Sequence, residues 1–238
     1  MCGRFALFDS PDDLAQAFDL SLDEARRVAA SGPRYNVAPS AAVVGVRARP
    51  SGTGREVVLL RWGLVPHWAQ SAEPAARMIN ARAETVADKP AFRDPFRERR
   101  CLILANGFYE WQKQPGGKQP HFICMPDRRP FAFAGLWDRW RRPPGEPVES
   151  CAIVTTVPNR TLEAIHDRMP VILQPEDYDT WLDTSLDDRT PLEGLLRPCP
   201  EDRLISYPVS TLVNKPENDV PECVEPLDEP PLDLFDLN

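Results

Sequence analysis

"RRCLILANGFYEW", residues Arg99 to Trp111, is the stretch on which the fold turns. Cys101 to Ala105 is a short apolar run that reads as a strand, and Gly107 marks a bend beside it. Working outward, "PHFICMP", "RPFAFAGLW" and "SCAIVTTVP" read as further strands. So do "AAVVGVRAR" and "REVVLLRWGLVP", which are rich in Val and Leu and separated by Pro, Gly and Ser. "MPVILQ" and "DRLISYPVS" complete the set. The helical patterns are few and short. They are "SPDDLAQAF", "SLDEARRVAAS" with Ser21 and Glu24 in capping-box positions, the start of "NRTLEAIHDRM", and "PEDYDTWLD" with Pro175 near its start. Many short strands with a few helices predict one α+β domain. Its expected core is a curved or barrel-like, mostly antiparallel sheet flanked by short helices.

Composition agrees. The 238 residues suit one substantial domain, and the 27 prolines, about twice the ordinary usage of roughly 5%, exclude long helices. The six cysteines are scattered, with no CxxC and no Cys/His pair at metal spacing, so neither a zinc site nor a disulfide framework is expected. No cofactor is implied. The chain shows no signal peptide and no membrane span, which points to the cytoplasm. The net charge is −8, yet from Glu217 onward there are eight acids and no Lys or Arg, so the rest is formally neutral. Basic residues cluster within it, as in "FRDPFRERR", and a polyanion-binding face is open. The acidic, Pro-rich residues 227–238 read as a tail outside the domain at 2–226.

The candidate chemistry begins at "MCGRF". A start Met is usually removed before a small residue, and Cys2 then carries a free amine and a thiol on adjacent carbons. The amine titrates at about 7.7–8.0 and the thiol at about 8.5. Such a pair condenses with an aldehyde to an imine and closes to a five-membered thiazolidine. A buried, incidental cysteine fits the same residue. Glu110, between Tyr109 and Trp111, is a candidate general acid or base if desolvated, and equally an exposed Glu on a half-buried strand. His166, where a helical stretch gives way to a strand, is a candidate proton shuttle or a structural turn residue. Asn80, Arg82 and Glu84 alternate, so on an extended segment they would share one face. Trp62 reads as core and Trp68 as a loop residue able to stack on a base. His67 and His121 read as ordinary loop or strand-edge residues.

Taken together, these pieces resemble the SRAP family, the SOS response-associated peptidase domain proteins. The resemblance rests on "MCGRF", "YNVAPS", "RWGLVPHWA", "NARAET", "GFYEW", "AGLW", "VTT", "IHDRMPVIL" and "NDVPECVEP", in family order. It implies a DNA damage response protein that binds single-stranded DNA and crosslinks to abasic sites through Cys2. Asn80 and Glu110 would position the sugar and assist proton transfer, and His166 would act as acid/base in ring opening and reversal. Arg4, Trp68, Arg82 and Arg168 would contact DNA, with Pro39 near the binding surface. The family's peptidase label is read as removal of Met1, and lyase activity at abasic sites as the same imine chemistry. The expected state is a cytoplasmic monomer, nucleoid-associated when bound to DNA. Two departures stand out: Leu104-Ala105 where a proline is expected, and Val220 where glycine is expected. A thiol peptidase using Cys2 with His166, and a single-stranded DNA-binding module without chemistry, are the alternatives.

Overall fold

The stretch Arg99–Trp111 serves two sheets, and the corner it makes organises the molecule. The computed structural model describes residues 2–29, 32–49, 54–141, 145–186 and 188–227. Among them are strands β1 Phe5–Leu7, β2 Arg34–Val37, β3 Ala42–Ala48, β4 Arg55–Trp62, β5 Asn80–Arg82, β6 Arg100–Ala105, β7 Gly107–Gln114 and β8 Gly117–Cys124. β9 Phe131–Trp140, β10 Val148–Thr156, β11 Met169–Pro170, β12 Ile172–Leu173 and β13 Ile205–Pro208 follow. The α-helices are α1 Pro11–Phe18, α2 Leu22–Ala29, α3 Pro90–Glu98, α4 Arg160–Glu163, α5 Tyr178–Leu182 and α6 Thr190–Gly194. The longest has nine residues, as the proline content requires.

One sheet runs β10-β4-β3-β6-β9, and β9 pairs with β10, so these strands close into a barrel. β10 is parallel to β4 and to β5; the other pairings are antiparallel. The second sheet runs β13-β8-β7-β1-β2. The expected single α+β domain with a barrel-like sheet and short helices is what forms.

Asn106 makes the corner between β6 and β7. Fully buried, it accepts from the Phe8 and Asp9 amides and donates to Arg128 O. Gly107 follows because there is no room for more: a Cβ there would lie 2.2 Å from the Phe122 ring. The period of two along β6 then sorts the core. Cys101, Ile103 and Ala105 join Phe5, Phe108, Trp62 and Phe133 between the sheets. Leu102 and Leu104 face α1, α3 and α5, packing with Leu14, Phe96 and Trp181.

Local signals at the helix starts hold in part. Ser10 caps α1 by accepting from the Asp13 amide. Ser21 likewise accepts from the Glu24 amide, but the Glu24 carboxylate turns away to Arg49 and the Val57 amide, so half of the capping box forms. The basic run "FRDPFRERR" is partly paired within itself. It folds largely as α3, Arg93 pairs with Asp94, and Arg97 with Glu98. Arg100 is buried and donates to the carbonyls of Phe96, Arg97, Trp181 and Asp183, and burial lowers its pKa to about 10. The tail expected at 227–238 falls, after Leu227, outside the described residues.

Candidate functional site

Four of the residues singled out by the sequence converge where β1 of the second sheet meets β5 and β10. β1 pairs antiparallel with β7, Phe5 opposite Phe108, which carries Cys2 alongside Glu110. β5 pairs with β10, Asn80 opposite Ile153, and its Nδ2 donates to the Cys2 carbonyl at 2.9 Å. The Asn80 Oδ1 is buried and has no hydrogen-bond donor among the described residues. His166 follows α4 and brings its Nε2 to 3.8 Å from Glu110 Oε2.

The electrostatics follow from burial. Glu110 is 2% exposed, so it is not an exposed strand residue, and desolvation pushes its pKa up to about 7. It therefore keeps its proton to a higher pH than an ordinary carboxyl. The Cys2 thiol is fully buried; desolvation first, and the nearby Glu110 charge second, raise its pKa well above the ordinary thiol value. His166 is lowered, burial being the main cause. Its Nδ1 sits 3.0 Å from the Arg168 amide and 3.0 Å from Asp167 Oδ1, while Nε2 faces Glu110.

The remaining positions divide. Arg82 is exposed at the end of β5. The extended segment stops there, because Ala83–Thr85 turns into a 3-10 helix, and Glu84 leaves the face expected for it. Glu84 instead makes a two-pronged pair with Arg168, whose Nη2 also donates to Thr155 O. Arg4 directs Nη1 to Asn36 Oδ1 and Val213 O, and Nη2 to Asn214 O on the exposed side. Its first task is thus to tie β1 to the C-terminal segment. Pro39 is half-buried in the turn after β2.

Trp62 is core, as expected, and Trp68 is 55% exposed on a turn. The loop bearing Trp68 runs back along β9 and β10: Ser150 Oγ accepts from the Val65 amide, Asp138 from the His67 amide, and Trp140 Nε1 donates to Ala69 O. Trp68 thus belongs to the end of β10 opposite Thr155 and Arg168.

Sequence reasoning missed three supports. Asp138 is one. The others are Asn36, whose Nδ2 donates to the carbonyls of Val213, Lys215 and Asn218, and Asp219, which accepts from Arg34 and the Tyr35 and Asn36 amides. "YNVAPS" and "NDVPEC" flagged the last two as motif members without giving their role. Val220 has φ −131°, ordinary extended backbone, so the position does not require glycine. No group of three or more His, Cys, Asp or Glu able to hold a metal occurs among the described residues.

The fold and this cluster define a single-domain α+β barrel protein that builds its second residue into the junction of two sheets. The family model for SOS response associated peptidase (SRAP) matches residues 1–216, and the chain belongs to that family. It is similar to the abasic site processing protein YoqW of Bacillus subtilis strain 168, with 43% identity over 226 residues covering 94% of this chain and 99% of the relative. The abasic site processing protein HMCES of Mus musculus is 33% identical over 233 residues, covering 82% of this chain and 65% of the relative. Among solved structures, a Bacteroides thetaiotaomicron protein superposes with a TM-score of 0.85 at 28% identity, over 95% of this chain and all of the other. No helix among the described residues is long and apolar enough to cross a membrane.

Proposed function

We propose that this chain processes abasic sites in single-stranded DNA by forming a thiazolidine between Cys2 and the ring-opened sugar. The observation that carries the reading is that the second residue of the chain sits beside a buried carboxylate with a pKa near 7. The substrate class comes from relatives named as abasic site processing proteins.

Removal of Met1 frees the Cys2 amine. The amine attacks C1′ of the aldehyde, a proton passes to the carbonyl oxygen, and a carbinolamine forms. Protonated Glu110 gives its proton to the new hydroxyl, the C–O bond breaks and water leaves, producing an iminium. Glu110, now a carboxylate, takes the thiol proton as sulfur adds to the iminium carbon. One aldehyde and one aminothiol become one thiazolidine and one water, and Glu110 ends as it began. A group with pKa near the working pH suits both transfers. His166, whose Nε2 faces Glu110, relays protons during opening of the sugar ring and during reversal. Asn80 fixes the Cys2 main chain, and its Oδ1 is an acceptor for the freed amine. Arg82, Arg168, Trp68 and Pro39, with the exposed edge of Arg4, hold the DNA.

The raised thiol pKa supports this order of events, with the amine reacting first and sulfur closing the ring. It counts against a thiol peptidase, which needs a ready thiolate. In this reading the peptidase label describes loss of Met1, lyase-type cleavage is the fate of an imine that sulfur does not capture, and residues 2–226 are the working unit. We take the protein to act as a monomer in the cytoplasm, at the nucleoid. The test is to mix purified protein with abasic single-stranded DNA and resolve the products on a denaturing gel. A stable adduct is expected from wild type and none from Cys2→Ala, with noncovalent binding kept. An equally durable adduct from Cys2→Ala would sink the thiazolidine reading.

A further inference from the structure

Beyond Glu110, β7 and β8 continue as a hairpin that the chemistry above does not use. From Trp111 to Pro126 the sequence holds no Asp or Glu, in a chain of net charge −8. Pro115 and Gly116 make the turn, Gly116 with φ +91°. The register sets Lys113 directly opposite Lys118, and both are exposed. Facing residues on an antiparallel pair have Cβ atoms about 4.5–5.5 Å apart, and like charges so placed destabilise the hairpin. No carboxylate among the described residues pairs with either lysine to relieve this.

The same face carries Trp111, half-buried, whose Nε1 donates to Asn214 Oδ1 at 2.7 Å. The Asn214 carbonyl takes the exposed Nη2 of Arg4. Arg4, Trp111, Lys113 and Lys118 therefore form one strip, with Glu217 offsetting charge at the Arg4 end only. The strip lies on the other face of β7 from Glu110. On the Glu110 side, Gln112 Nε2 donates to Ala164 O, two residues before His166. Along the strand, Lys113 lies roughly 10 Å past Glu110, about three steps of 3.3 Å, an odd number that turns it to the opposite face. It is still among the charges that disfavour a protonated His166.

We propose that the lysine face of the β7–β8 hairpin is a second docking surface, holding the phosphate backbone of the DNA strand beyond the abasic nucleotide. It rests on the reading of single-stranded DNA as substrate. A polyanion supplies the missing counter-charge, and a continuous strand that crosses the edge of β7 left open beyond its pairing with β1 brings phosphates to the lysine face, where the Trp111 ring also lies. The facing lysines are then a stability penalty kept for binding.

The experiment compares wild type with the double variant Lys113→Gln/Lys118→Gln, using a fluorescent single-stranded oligonucleotide without abasic sites across a salt series. Each lost phosphate contact removes about 0.7 from the slope of log affinity against log salt, so the slope should become shallower by about 1.4, with weaker binding at low salt. The thermal midpoint should hold or rise, because repulsion is relieved, and the adduct yield at saturating protein should match wild type. Lys113→Glu/Lys118→Glu should bind more weakly still. An unchanged slope, with or without a change in affinity, overturns the proposal. If wild type itself neither binds the oligonucleotide nor forms an adduct with abasic DNA, the underlying function fails instead, and that is seen before any variant is made.

Discussion

Replacing Glu110 by Gln separates the stability penalty of a buried carboxylate from its chemical use. Burial moves this carboxyl from 4.5 to about 7. At 1.36 kcal/mol for each tenfold change in acid strength, that is about 3 kcal/mol. The sign follows from proton binding. Between pH 4.5 and 7 the folded protein keeps a proton that the unfolded chain has released, so stability falls as pH rises through this window. The penalty is absent below 4.5 and complete above 7. Gln does not titrate, so Glu110→Gln should gain stability relative to wild type as pH rises, by about 3 kcal/mol between pH 4.5 and 8. Any hydrogen bond lost to Gln adds a constant offset and leaves that slope intact. Urea unfolding of both proteins at several pH values from 5 to 8 measures it. A stability difference independent of pH would refute the reasoning about Glu110. In parallel, adduct formation should slow by about 10²-fold or more, the usual worth of a general acid.

Three further outcomes follow from the packing. Gly107→Ala places a methyl group against the Phe122 ring and Ile123 O at the corner, and should destabilise the protein by at least about 1–3 kcal/mol, measured by urea unfolding. Val220→Gly should bring no gain and a loss of roughly 0.5–1 kcal/mol, because φ at this position is already ordinary. Arg100→Met removes the donor to four carbonyls and should lower stability by about 3 kcal/mol or more, while the salt slope of DNA binding in the folded variant stays that of wild type.

The sequence carried the strands well because their signals are local. The Val and Leu runs of β3 and β4, the apolar run of β6 and the bend at Gly107 are each read within a few residues. What it did not carry is nonlocal. Barrel closure depends on β10 lying parallel to β4, Cys151 opposite Trp62, and nothing near either residue announces the other. The three residues of β5 are too few to show a period. Pro95 lies inside α3, which masks a helix that tertiary packing of Phe92 and Phe96 sustains. At the site, Cys2, Asn80, Glu110 and His166 were all nameable from residue type and motif. Glu84 was misplaced because the turn at Ala83 sends it to Arg168, and the charge pattern of "FRDPFRERR" hid that Arg100 is a core residue. Residue type gave the candidate chemistry, while burial, which raises the pKa of Glu110 and Cys2, needed the fold.

The most direct test of the account is the intact mass of the adduct formed with an abasic oligonucleotide. The expected mass is that of protein lacking Met1 plus oligonucleotide, less one water, with the link mapped to Cys2. An adduct that retains Met1, or whose link maps to any other residue, would contradict it.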